Sequence, residues 1–248
     1  MWNPKKRRHE FWIKAKGGAW VLVGGNPIDV AYDNFVSPAL TSFPALYGIR
    51  SQLQWWATGR PRPSGANFEQ VNTLGGGLRI KTRPINGSWI AIHYGDIYPF
   101  DMSMSPHLYL RSAAEYLTDI HLMAGMVGAS NKPSTGSTHT DPDDGIFIRL
   151  DTAVDGNIYS VTRAGGIETA KLLGPANLEG RNYCIRVNDD GDQVEFLIDG
   201  VVIQTHTTDD NLPIGVPLQP YYEVMTRTNA VRSATIHHYI QVFDSLWV

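Results

Sequence analysis

An all-β chain built as a two-sheet antiparallel sandwich is what this sequence predicts, on three observations. Short runs of alternating apolar and polar residues recur at regular spacing from about residue 68 onward, with turn residues between them. The stretch from Gly180 to His206 holds three such runs, joined by Asp189-Asp190-Gly191-Asp192 and by Asp199-Gly200. Asp-Gly between alternating residues marks a hairpin, because glycine takes a positive φ without a Cβ clash. The 248 residues also include 24 glycines and 15 prolines, which suits many turns and few helices.

Taken in order, residues 1–67 read as an irregular N-terminal arm, an attachment region broken by Pro27, Pro38, Pro44, Pro61 and Pro63. Ala19–Val23 has the apolar character of a short strand, and Gly59–Gly65 that of an extended connector. Residues 68–248 read as the sandwich. Strands are expected at 77–83, 88–94, 107–111, 116–124, 146–151, 157–163, 167–172, 182–188, 193–198, 201–206, 219–226 and 234–243. In 193–198, for example, Val194, Phe196 and Ile198 fall on one face and Gln193 and Glu195 on the other. Ala113–Met123 is rich in helix formers and also fits a helix; strand is the reading preferred here. Gly128–Gly145 lacks apolar side chains over most of its length and reads as a long exposed loop.

The net charge of -3 conceals an asymmetry: residues 1–16 hold six cations against Glu10, a net of +5, so the rest carries -8. With Trp2, Phe11 and Trp12 beside Lys5, Lys6, Arg7 and Arg8, this segment reads as an attachment arm that docks on an acidic protein surface rather than on nucleic acid. The single cysteine, Cys184, excludes an intrachain disulfide. No apolar run approaches the roughly 20 residues of a membrane span, and none follows the basic N-terminus at the length of a signal-peptide core. Synthesis in a reducing cytoplasm is the expectation.

Within residues 145–244, five segments in a fixed order carry a family resemblance: Asp144–Asp151, Tyr159–Thr169, Val194–Gly200, Leu218–Tyr222 and Ile236–Ile240. Together they resemble the concanavalin A-like (laminarin-G-like) jelly-roll sandwich, in particular the version found in tailed-phage virion proteins such as capsid decorations and fibres. The resemblance implies a jelly-roll fold. It also implies a partner in the major capsid protein or other virion subunits, and a homo-oligomer, a trimer by analogy.

Strand alternation sets out a polar and aromatic group suited to sugars: Trp89, His93, Tyr109, Arg111, Glu223, His237 and Tyr239. Aromatic planes pack on sugar C–H faces while Arg, Glu and His bond the hydroxyls. The competing reading packs these side chains under loops or against a protein neighbour. Glycoside hydrolysis needs a close carboxylate pair, and the Glu-x-Asp-x-x-Glu arrangement of sandwich glycosidases is missing. His93, Tyr109 and Arg111 would supply base, acid and charge neutraliser for a lyase. Asp141, Asp143 and Asp144 could offer hard oxygens to Ca²⁺, but their spacing excludes an EF-hand and a solvated turn is preferred. No phosphate loop, CxxC pair or nucleophile elbow occurs, and no cofactor is expected.

The expectation is therefore a non-enzymatic structural protein of a tailed-phage particle, a capsid decoration that displays a lectin-like sandwich with weak affinity for host-surface or environmental glycans. A tail-associated virion protein is a variant of the same reading. The alternative is a polysaccharide-active enzyme, a lyase, or a soluble lectin.

Overall fold

The structure, a computed structural model, describes residues 10–14, 20–24, 28–33, 56–61, 67–71, 77–94, 98, 101–128 and 141–244, with side chains left aside at 10–33, 56, 70 and 238–244. Among the described residues there are seventeen strands: β1 (Glu10–Lys14), β2 (Trp20–Gly24), β3 (Ile28–Asp33), β4 (Trp56–Arg60), β5 (Phe68–Gln70), β6 (Leu78–Lys81), β7 (Trp89–His93), β8 (His107–Ala114), β9 (Ile120–Gly128), β10 (Gly145–Asp151), β11 (Asn157–Ala164), β12 (Ile167–Pro175), β13 (Arg181–Val187), β14 (Gln193–Ile198), β15 (Val201–Thr207), β16 (Leu218–Thr226) and β17 (Ser233–Asp244). Among the described residues there is no α-helix.

The strands form two large antiparallel sheets, the jelly-roll sandwich expected from the sequence. One has seven strands in the order β12-β11-β10-β9-β16-β7-β4. The other runs β15-β14-β13-β8-β17-β6-β5, with β3 as an eighth strand on β17. β1 and β2 pair as a separate ribbon. Two pieces of the segment read as an arm thus join the sandwich: β4 extends the seven-stranded sheet beside β7, and β3 lies along the second half of β17. Ala113–Met123 divides, since β8 ends at Ala114 and β9 begins at Ile120, with Asp119 at a positive φ of 53° in the turn between them.

The Asp-Gly hairpin forms as its sequence requires. Asp199 and Gly200 take φ of 51° and 85°, the two successive positive values that match the twist of a two-residue hairpin. The Asp199 amide donates to the Asn182 carbonyl and its carboxylate accepts from the Asn182 amide, which ties the turn to β13.

The core lies between the sheets. Ile90 and Ile92 of β7, Leu108 and Leu110 of β8, Ile146 and Ile148 of β10, and Val194 and Phe196 of β14 meet there. Each such side chain contributes about 1.5–3 kcal/mol by leaving water. Between the sheets, Tyr222 and Ser112 join through their hydroxyls at 2.7 Å. His206 is fully buried, its Nε2 2.9 Å from Ser160 Oγ and its Nδ1 2.8 Å from Thr162 Oγ1, with Phe196 against its ring.

Burial, reinforced by the nearby Lys171 charge, pulls the His206 imidazole down to about 4. The folded state therefore binds fewer protons than the unfolded chain between the ordinary histidine range and that value, and stability present above about pH 6.5 is lost as pH falls through about 4. From pH 7 to pH 4.5 this single group removes roughly 2–3 kcal/mol. Urea unfolding at both pH values is expected to show that difference, and His206→Gln to reduce it by a comparable amount.

Candidate active site

The outer face of the seven-stranded sheet is unlike an ordinary solvated surface. Its strands alternate, so the residues between the core positions form rows across the sheet. One row runs Arg60, Trp89, Met225, His121, Asp151; the next Thr58, Ala91, Glu223, Met123, Arg149, Tyr159. A third holds His93, Tyr221, Gly125, Phe147 and Val161. Trp89, Ala91, Met123, Val127, Phe147, Val161, Tyr221 and Met225 pack there as a second apolar cluster, separate from the core.

Set among those apolar groups is a chain of ionisable side chains drawn from three strands and the turn after β16. Tyr221 donates its hydroxyl hydrogen to Glu223 Oε2 at 2.5 Å. Glu223 Oε1 lies 3.7 Å from His121 Nε2, and His121 Nδ1 lies 3.2 Å from Asp151 Oδ2. Asp151 in turn receives Arg227, through Nε at 3.2 Å and through Nη2. His121 and Glu223 are each only 1% exposed. Burial works against ionisation of Asp151, but the hydrogen bond and charge of His121, with Arg227 beside it, hold its carboxyl well below the usual range. Burial first, then the neighbouring Glu223 charge, keeps the Tyr221 phenol protonated far above its ordinary value. The phenol is thus held as a donor to Glu223, which stands between an acid and an imidazole.

A second charged group flanks the first. Arg149 makes a bidentate pair with Glu168 at 2.7 Å on each side and reaches Asp141 at 3.4 Å; Arg163 stands 3.8 Å from both acids. At the opposite end of the face a cleft of about 450 Å³ opens beside the relay, lined by Arg60, Pro61, Gly87, Ser88, Met225 and Arg227 among others.

Of the sequence-predicted sugar ligands, Trp89, His93 and Glu223 share this face, with the His93 ring 6.3 Å from that of Tyr221 and its Nε2 3.1 Å from Thr58 Oγ1. Tyr109 and Arg111 do not join them. Both belong to β8 in the other sheet and point away from the core, on the far side of the sandwich. Tyr109 there lies beside Cys184, and burial pushes its phenol up to about 12. The trio His93, Tyr109 and Arg111 is therefore split by the core and cannot act on one substrate. His237 is half-buried on β17; Tyr239 pairs with Leu110 across a register shift after Ile236, and its side chain lies outside the described ones. Trp2, Lys5, Lys6, Arg7 and Arg8 lie outside the described residues, and Phe11 and Trp12 are described only as backbone of β1.

Asp141, Asp143 and Asp144 anchor neighbouring chain segments. Asp141 faces Arg149 and Arg163, the Asp143 carbonyl accepts from the Gly166 amide, and Asp144 Oδ1 accepts from the Gly165 amide. Among the described residues no group of three His, Cys, Asp or Glu side chains is arranged to hold a metal.

Sequence reading missed His121, Asp151, Arg149 and Arg227. The alternation Ile120, Leu122, Ala124, Met126 places His121 outward, and that signal was available. The acids arrive on different strands, Asp151 on β10 and Glu223 on β16, so a search for a carboxylate motif along one strand passes over them.

Neither a family model nor a curated protein matches the sequence. Solved structures do share its fold. A protein of unknown function from Shewanella oneidensis aligns at TM-score 0.60 and 9% identity, covering 87% of this chain and 86% of its own. The catalytic domain of an endo-1,3-β-glucanase (laminarinase) from Thermotoga petrophila aligns at 0.57 and 14%, covering 96% and 100%. A Bacillus licheniformis β-glucanase aligns at 0.56 and 11%, covering 87% and 98%. The likeness establishes the concanavalin A-like jelly roll. Glycoside hydrolases recur among these neighbours, and this overturns the expectation of a non-enzymatic structural protein of a phage particle. The missing single-strand motif, which had argued against catalysis, loses its force once acids from separate strands converge on one face.

Phe147 can lie across β9 only because Gly125 has no side chain: a Cβ there would stand 2.3 Å from the Ile146 carbonyl oxygen and 2.5 Å from Phe147 Cα. Backbone atoms cannot yield as a flexible side chain would. Gly125→Ala is expected to lower stability by about 1–3 kcal/mol, measured as a loss in the urea midpoint with an unchanged slope.

Proposed function

We propose that this protein is a polysaccharide-active enzyme that cleaves glycan chains on the outer face of the seven-stranded sheet. The observation that carries the reading is the line Tyr221–Glu223–His121–Asp151–Arg227, buried at its first three members and partly exposed at Asp151 and Arg227. Burying ionisable groups is costly unless they are paired, and an apolar packing would serve the fold as well. A concentration of coupled, buried acids and a histidine on a face with aromatic planes is the pattern of a catalytic site. Tyr159, half-buried on this face, supplies such a plane for a sugar ring, while Trp89 and Tyr221 are packed beneath the surface in the apolar cluster.

In this reading Glu223 and His121 exchange the protons. Glu223 lies between the Tyr221 hydroxyl and His121 Nε2, so a proton lost or gained at its carboxyl has a partner on either side. Asp151 holds the His121 ring from Nδ1, and the hydrogen bonds from His121 and Arg227 keep Asp151 ionised. The His121 imidazole stands between the two carboxylates, 3.2 Å from Asp151 and 3.7 Å from Glu223, so the two acids do not face each other as the bare pair of a retaining glycosidase does. Direct attack by water, or proton abstraction and elimination, is the chemistry proposed. β-Glucan, on which the Thermotoga petrophila and Bacillus licheniformis neighbours act by name, is one substrate to test; uronate polymers are another.

The test sets the purified chain against laminarin, mixed-linkage glucan, alginate and polygalacturonate, reading new reducing ends for hydrolysis and absorbance at 235 nm for elimination. Glu223→Gln is expected to lower kcat by at least roughly 100-fold with KM and the far-ultraviolet circular dichroism little changed. Failure to cleave any of the four, or full turnover by Glu223→Gln, would sink the proposal.

A further inference from the structure

The cleft at the end of this face has a charge character that a neutral glucan does not require. It is lined by Arg60 of β4 and by Arg227, together with Pro61, the turn from Ile85 to Ser88, and Met225 of β16; among the described residues no acidic side chain lines it. Arg60 is exposed. Arg227 is a third exposed, turns Nε and Nη2 to Asp151, and uses no Nη1 contact among the described residues. Gly87 leaves open space where a side chain would stand, at a positive φ of 73° that suits glycine. The cleft's volume of about 450 Å³ falls within the roughly 300–1,000 Å³ typical of small-ligand sites. Met225 pairs in register with both Trp89 and His121, so a sugar in the cleft would lie next to the relay.

We infer that this cleft is a subsite for an anionic sugar, a residue bearing a carboxylate or a sulfate ester, and that Arg60 selects it with Arg227. The inference deepens the proposed function and rests on the reading of this face as a glycan site. A guanidinium with no acid opposite it in the cleft gains most from a bidentate oxyanion. Arg227, with its charge partly taken by Asp151, orients the same group from the relay side. The local excess of one positive charge at the cleft runs against the net charge of -8 carried by residues 17–248, so the site is positive by placement and not by the bulk balance.

The experiment measures binding to Glu223→Gln protein, by calorimetry at low and high salt, of oligosaccharides of matched length: galacturonate oligomers for the carboxylate, carrageenan oligomers for the sulfate, laminarin oligomers as the neutral probe. One of the two anionic probes is expected to bind at least about tenfold more tightly than laminarin oligomers at low salt. That preference is expected to fall with salt and to vanish in Arg60→Ala and Arg60→Glu, with Arg60→Lys retaining part of it. Laminarin oligomers binding as tightly as both anionic probes would overturn the inference, as would a preference that survives Arg60→Glu. The two readings fail separately. Glu223-dependent cleavage of neutral glucan without any anionic preference removes the subsite and keeps the enzyme. Arg60-dependent anion binding with no cleavage of any glycan removes the enzyme and keeps the subsite.

Discussion

Strand β16 is buried along its whole length, on both faces at once. Leu218, Tyr222 and Val224 face the core, and Tyr221, Glu223 and Met225 face the other way. In such a strand register has no slack, because a slip of one residue would drive Glu223 into the apolar core and bring Val224 out beside His121. The Tyr222–Ser112 hydroxyl contact, which crosses from one sheet to the other, fixes the inward set. The outward set is then obliged to find partners in the neighbouring strands, since a carboxylate at 1% exposure cannot rely on water. β9 and β10 supply them as His121 and Asp151. The relay follows from the double burial of one strand together with the order β10-β9-β16.

The two outer faces of the sandwich therefore differ in kind. On the eight-stranded sheet the charges form partly exposed pairs, Arg186 with Glu195 and Arg79 with Glu69 and Glu115. Such pairs contribute little to stability, about 0–1 kcal/mol each. On the seven-stranded sheet the charges are embedded among Trp89, Met123, Phe147 and Met225. A lower local dielectric strengthens every interaction there and makes any unmatched group expensive. The buried ionisable groups lie on the face where electrostatics act most strongly.

Much of the fold was readable because its signals are local. The alternation Val194, Phe196, Ile198 and the Asp199-Gly200 turn need only their own neighbours, and β13, β14 and β15 formed where they were expected. Ala113–Met123 was harder, since helix formers there are overruled by sheet partners on both sides of β9. The site was legible only in fragments. Trp89, His93 and Glu223 alternate against strong apolar positions and lie on one face of the seven-stranded sheet, yet nothing in the sequence says which sheet a strand enters. Tyr109 and Arg111 alternate just as well and stand on the opposite side of the molecule. Proximity of His121 to Glu223, separated by about a hundred positions in the chain, is a product of strand order alone.

Arg227 shows how the cleft and the relay constrain each other. It follows β16 directly, so its backbone is held by the same register that holds Glu223, and its amide donates to the Asp119 carbonyl at the start of β9. From that anchor the guanidinium faces Asp151 on one side and the cleft on the other. Without a cation there, Asp151 and Glu223 would present two negative charges to one buried imidazole, and like charges in a low dielectric drive one of them to protonate. With the cation, and with the hydrogen bond from His121, Asp151 remains an anion that orients the imidazole. Arg227 thus belongs both to the cleft and to the Asp151–His121 pair, so a charge brought against it in the cleft also changes the field at Asp151.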